Sequence, residues 1–147
     1  YYHYARWLSQ NNQLDKAIYH LNKALELSPA HQQAAQLKKA LASTAIDKLE
    51  LARSAAIEQN TPEAYLELSL AYYNNGKYDM CIQACEKALV LRPDYAEAYN
   101  NICSAYNKLK RFKEAQIACE KSLAIKPHYQ LAKGNLNWAL SQQQTVQ

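Results

Sequence analysis

Glycine and proline are scarce in this 147-residue chain, which holds two of the first and four of the second. Two glycines cannot build a phosphate-cradling loop or a dinucleotide fingerprint, because each needs several glycines close together. So few turn residues also exclude a sandwich or barrel of many short strands. No apolar run approaches the roughly 18 residues that span a bilayer. No secretory leader opens the chain, since residues 1–7 read as helix, and a start on Tyr1 is expected for a piece of something longer. Excess charge is also missing: 17 basic residues stand against 13 acidic ones along the whole length, a net +4 that by itself points to neither nucleic acid nor a membrane surface. What is present is 49% apolar and 20% charged residues, an ordinary globular balance for one domain, and twelve tyrosines. A mostly helical chain remains.

Its organisation lies in an internal repeat. Residues 62–95 set over 96–129 match at twelve of 34 columns without a gap, from Glu63-Ala64-Tyr65 over Glu97-Ala98-Tyr99 to Pro93 and Tyr95 over Pro127 and Tyr129. A shift of 64 brings Tyr1, Asn11, Asp15, Ile18, Lys23, Ala24, Leu25, Leu27 and Pro29 onto Tyr65, Asn75, Asp79, Ile82, Lys87, Ala88, Leu89, Leu91 and Pro93, a third copy. Within a copy, Tyr65, Leu68 and Tyr72 share one helical face. Ser69 is small where a paired helix must cross, against Cys81 and Ala88. Gly76 breaks the first helix by taking a left-handed conformation cheaply. Asn12 holds that slot in the first copy and tolerates the conformation, whereas Lys110 in the last pays about 1 kcal/mol for it. Pro29, Pro93 and Pro127 stop the second helices.

These landmarks resemble the tetratricopeptide repeat family, whose 34-residue unit follows W-x2-L-G-x2-Y, A-x3-F and P. Here the pattern reads Tyr65-x2-Leu68-Ser69-x2-Tyr72, Cys81-x3-Cys85, Pro93, then Tyr99-x2-Ile102-Cys103-x2-Tyr106, Ala115-x3-Cys119, Pro127, and first Tyr1-x2-Tyr4-Ala5-x2-Leu8, Ala17-x3-Leu21, Pro29. The resemblance implies an all-α solenoid, a right-handed superhelix of antiparallel helix pairs forming a single domain over 1–147. Residues 1–30 form a unit with a truncated first helix, 31–61 a short degenerate repeat, 62–95 and 96–129 full units, and 130–147 a capping helix. In the degenerate part a first helix carries Ala34, Leu37 and Leu41. A second runs from about Ala45 to Gln59, capped through Thr44 and Asp47. With no glycine between them, one continuous helix is the alternative.

The four cysteines, Cys81, Cys85, Cys103 and Cys119, occupy small or core slots and show no disulfide framework. The expectation is packing as small hydrophobes in a reducing, cytoplasmic setting. No C-x2-C pair suggests structural zinc, so no metal or other cofactor is expected. Tyr1, Tyr4, Tyr65, Tyr72, Tyr78, Tyr99 and Tyr106 fall on core landmarks. Lys108, Lys110, Arg111 and Lys113 cluster at one turn and read as solvated rather than as a nucleic-acid site, with Phe112 assigned to the core. No motif with a catalytic mechanism is present.

In the family, the first helix of each repeat lines a concave groove. Carried over, the groove side shows Leu66, Glu67, Leu70 and Tyr73, then Asn100, Asn101, Ser104, Asn107 and Lys108, then Leu131, Asn135, Trp138 and Gln142. The site residues singled out are Leu66, Glu67, Leu70, Tyr73, Asn100, Asn101, Ser104, Asn135 and Trp138, the apolar ones standing off the core face. The carboxylate clamp of the chaperone-tail receptors is missing, since its slots hold Leu66, Leu70, Leu131 and Asn135. Asn101 and Asn135, 34 apart, resemble two rungs of the asparagine ladder of O-GlcNAc-transferase-like superhelices, and both are expected to face solvent. The implied function is a non-catalytic scaffold that binds a peptide or partner protein in the groove. The alternative is the substrate-recruiting tail of a larger enzyme, such as a membrane-bound glycosyltransferase. Self-association through the repeat edge near Trp7 is a further expectation.

Overall fold

A computed structural model describes the backbone of residues 1–11 and 13–145, and the side chains of all of these except 14, 15, 45–47 and 145. The described residues form eight α-helices and no strand: α1 Tyr2–Gln10, α2 Leu14–Leu27, α3 Gln32–Gln59, α4 Pro62–Asn74, α5 Tyr78–Leu91, α6 Ala96–Lys108, α7 Phe112–Ile125 and α8 Gln130–Thr145. None of these helices is long and apolar enough to cross a membrane. The chain packs as two compact units, Tyr1–Leu51 and Ala52–Gln147.

In the first unit Ala5, Leu8, Ala17, Leu21 and Ala24 meet Ala34 and Leu41 in a common core, with Tyr2, Ile18, Leu25 and Leu37 against it. Small residues on α1 and α2 let the two helices approach closely. Tyr1 and Tyr4, expected in the core from their landmark positions, do not belong to it. Both are more than half exposed. They gather instead around the His20 ring, at 5.8 and 4.8 Å between centroids. Trp7 and Tyr19 are exposed beside them.

Residues 32–59 form one uninterrupted helix, not the expected pair. No glycine, proline or asparagine lies in its interior to break it. The Ser43 and Thr44 hydroxyls donate back to the carbonyls of Lys39 and Ala40, both at 3.1 Å, which suits a helix interior rather than an N-cap. The Asp47 side chain of the expected cap lies outside the described residues.

In the second unit α4 with α5, and α6 with α7, are helix pairs joined by three-residue turns. Thr61 Oγ1 accepts from the Ala64 N–H at 3.2 Å and Pro62 opens the first turn of α4, a favourable start. Gly76 takes φ 71° and Lys110 φ 59°, the left-handed conformation expected of that slot. Behind them Lys77 N donates to Tyr72 O and Arg111 N to Tyr106 O, each at 2.9 Å, closing both helix ends. Gln13 N to Leu8 O repeats that bond at 2.9 Å in the first unit. Asn12 itself lies outside the described residues. Helices α2, α5 and α7 each end two residues before a proline.

Ser69, Cys81, Cys85 and Ala88 are fully buried between α4 and α5, as are Cys103, Ala115, Cys119 and Ser122 between α6 and α7. Only Cys81 and Cys85 pack as free thiols. Cys103 and Cys119 form a disulfide, with Cα atoms 5.3 Å apart. The repeat register places the small slot of a first helix opposite the small slot of its partner. Two cysteines there come within bonding range although 16 residues separate them. Helix α8 lays fully buried Ala132 and Ala139 on the preceding pair, and Gln143 Nε2 donates to Phe112 O at 3.2 Å and Gln116 Oε1 at 3.0 Å.

Candidate functional site

Helices α4, α6 and α8 are the first helices of successive repeats, so residues 34 apart share a slot along them. Leu70, Ser104 and Trp138 share one, and Glu67, Asn101 and Asn135 another. Leu70 is 45% exposed, Leu131 64% and Trp138 55%, leaving apolar surface along this face. Soluble chains seldom leave such side chains gathered together without a use.

The asparagines are more occupied than their sequence positions predicted. Asn101 Nδ2 donates to Ser69 Oγ at 3.1 Å. Asn135 Nδ2 donates to Asn100 Oδ1 at 2.9 Å and to Ser104 Oγ at 2.8 Å, while Asn107 Nδ2 reaches Asn135 O at 3.0 Å. Asn101 and Asn135 are therefore half-buried ties between neighbouring helices, not solvated rungs. Asn100, expected on the groove side, is 4% exposed, because Asn135 of the next helix lies over it and takes its carbonyl. Buried amides hold their place only when paired in this way.

Beside these ties lies an open cavity of about 600 Å3. Tyr73 forms one wall, and Ser104, Asn107 and Lys108 come from α6. Lys110 enters from the turn and Phe112 from the start of α7, while Asn135, Trp138 and Gln142 close it from α8. Four predicted site residues line it: Tyr73, Ser104, Asn135 and Trp138. Leu66, Glu67, Leu70 and Asn101 do not. Lys110 and Phe112 were assigned to a solvated turn and to the core, yet both line the cavity. The signal for Lys110 was its lysine in a slot that favours glycine.

The cavity is positive and partly apolar. Its lining contains no acidic residue among the described residues. Neither Lys108 nor Lys110 has an ion-pair partner among the described residues. The Asn107 Oδ1 atom is buried without a hydrogen-bond partner among the described residues. Burial, and then the neighbouring Tyr78, push the Tyr73 phenol up, and its ring stands 5.3 Å from that of Tyr78. Phenol, indole and phenyl thus meet two unpaired ammonium groups in one concavity.

A second cavity of about 330 Å3 lies among α5, α6 and α7, lined among others by Glu86, Glu114 and Lys121; Lys121 already caps the Tyr99 ring at 5.6 Å and Glu114 pairs with Arg111. The buried Cys85 thiol is held protonated by the adjacent Cys81 and by burial, so it offers no thiolate. No group of three or more metal-ligating side chains comes together among the described residues.

Family models for the tetratricopeptide repeat match residues 1–31, 62–95 and 96–129. No curated protein sequence matches the chain. Among solved structures, MamA is similar with a TM-score of 0.62 at 22% identity, covering 95% of this chain and 78% of that one. The first TPR of Spaghetti (RPAP3), bound to the HSP90 peptide SRMEEVD, gives 0.54 at 17% identity, with 95% and 87% covered. The second TPR domain of human RPAP3, in complex with the HSP70 peptide SGPTIEEVD, gives 0.53 at 16%, with 92% and 88% covered.

Proposed function

The chain belongs to the tetratricopeptide repeat family, and on that premise we propose that it is a non-catalytic scaffold that binds a peptide segment of a partner protein along α4, α6 and α8. One observation carries the reading: the cavity where the exposed Trp138 ring meets the half-buried Tyr73 and Phe112 and the lysines Lys108 and Lys110. That RPAP3 repeats of the same fold hold peptides in their structures supports this use of the face. Leu66, Leu70 and Leu131 stand where the resemblance puts the cations of a carboxylate clamp, so the ligand is not anchored by one.

The test is to select binders from a displayed peptide library on the whole chain and measure them against two single variants. Trp138→Ala removes the cavity's largest apolar wall and should weaken the selected peptides by about tenfold or more. Ile117→Ala, on the second cavity, should leave them within about twofold. The opposite pattern would place the binding surface on α5 and α7 and end this proposal.

A further inference from the structure

Which peptide the cavity takes is written in its polar atoms, and the inference rests on the groove reading above. Both donor hydrogens of the Asn135 amide are spent on Asn100 Oδ1 and Ser104 Oγ. The Asn107 amide likewise donates to Asn135 O, and its own Oδ1 is the buried acceptor left without a partner. The donors of these two amides are therefore already engaged within the fold. Among the described residues, Lys108 and Lys110 are the only charged residues of the lining. These are compact point charges on flexible stems, able to meet carboxylates at several positions but not to grip one in a fork. The aromatic residues Tyr73, Phe112 and Trp138 line the same cavity.

Lys110 strengthens the assignment. It sits at φ 59° where the preceding repeat has Gly76 at 71°. A lysine in that conformation costs about 1 kcal/mol relative to glycine, and its side chain lines the cavity. Backbone strain that stability does not require is a mark of use. A volume of about 600 Å3 exceeds what a small anion fills and falls within the roughly 300–1,000 Å3 of ligand-binding clefts.

We infer that this cavity is the specificity pocket of the groove, and that it takes an internal acidic segment of a partner protein in which a large aliphatic or aromatic side chain stands next to carboxylates. The carboxylates meet Lys108 and Lys110, and the apolar side chain enters between Tyr73, Phe112 and Trp138. A chain terminus is not needed, because no spare amide donor remains at Asn135 to clamp one.

The experiment titrates the whole chain, in a Trp7→Phe background so that Trp138 reports by fluorescence, with short acetylated and amidated peptides. Gly-Ser flanks surround an Asp-Leu-Asp, Asn-Leu-Asn or Asp-Ser-Asp core. The Asp-Leu-Asp peptide should bind, and either altered core should bind about tenfold weaker or worse. Affinity should fall as salt rises, because exposed charge pairs are screened. The double variant Lys108→Gln/Lys110→Asn should lose about tenfold. Its asparagine tolerates the left-handed backbone, and a thermal melt confirms that it folds. Lys113→Gln, in the same basic cluster but outside the cavity, should stay within about twofold.

Equal binding of the Asn-Leu-Asn peptide, or equal loss in the Lys113 variant, overturns the inference. If that peptide still depends on Trp138, the groove reading survives alone. If no peptide binds, or an oligothymidine of matching charge binds more tightly than Asp-Leu-Asp, the pocket is not an acidic-peptide site. Library binders that then map to Ile117 would remove the groove reading as well.

Discussion

The side-chain amide of Asn135 stands 2.8 Å from Ser104 Oγ and ties α8 to α6 across 31 residues of sequence. The same nitrogen reaches Asn100 Oδ1, so its loss leaves a buried carbonyl oxygen without its donor. Asn135→Ala should therefore destabilise the chain by roughly 1–2 kcal/mol, from net hydrogen bonds of about 0.5–1.5 kcal/mol each. Urea unfolding of the parent and variant measures it. An unchanged midpoint would show that the amide is a solvated surface group after all.

The Cys103–Cys119 bond closes a loop of 16 residues between paired helices. Cross-linking such a loop restricts the unfolded chain and is worth about 3 kcal/mol in the chain-entropy account. Adding a reductant should lower the denaturation midpoint, and Cys103→Ser/Cys119→Ser should make the protein insensitive to it. Cys85→Asp, by contrast, buries an unpaired carboxylate beside Cys81 and should prevent stable folding under either condition.

Glycine means different things at the two places it occurs. Gly134 lies inside α8, and a Cβ added there meets nothing within 4 Å. Gly134→Ala should stabilise by up to about 1 kcal/mol through helix propensity alone. At Gly76 the same space is open, but φ is 71°, so Gly76→Ala should destabilise by about 1 kcal/mol. Thermal melts of the two variants should move in opposite directions.

Acid should weaken the second unit. Hydrogen bonds and charge hold the carboxyls of Glu63, Glu97 and Glu114 below the usual 4.5: Glu63 chiefly by its own backbone N–H and then Arg92, Glu97 by Lys126, Glu114 by Arg111. A carboxyl depressed in the folded state contributes stability above its unfolded value, and that contribution disappears as pH falls through the folded one. The melting point should hold from neutrality to about pH 5 and decline below about pH 4.5. The decline should be shallow, because these pairs are exposed and screened. Glu63→Gln/Glu97→Gln should flatten it.

Most of the fold is legible in the sequence because the repeat is printed in residues whose physics is local. Pro93 and Pro127 stop helices, Gly76 turns the chain, and Ser69 marks a crossing. Residues 32–59 are harder to read. The absence of a breaker decides for one helix, while the apolar spacing alone fits two. The disulfide escaped because its two halves lie on different helices, and only the register of the repeat brings them together. At the groove, Trp138 and Tyr73 were visible as apolar residues off the core face. The engagement of Asn100, Asn101 and Asn135 was not, because an exposed amide and a paired one look alike until the neighbouring helix is in place. Phe112 was misassigned for a related reason: the first residue of α7 faces both the core and the cavity rim.

Glu63 pairs with Arg92, and Glu97 with Lys126, each partner 29 positions on. Lys87 covers the Tyr65 ring at 5.7 Å as Lys121 covers Tyr99 at 5.6 Å. Every one of these clasps opens and closes inside its own 34-residue unit, so none straddles the junction between Tyr95 and Ala96. A genetic exchange cutting at that junction would carry each fastening away whole. Such an array can gain or lose a unit by copying without refitting these ion pairs and ring contacts, while the amide ties from Asn101 to Ser69 and from Asn135 to Asn100 and Ser104 must be remade at each new junction.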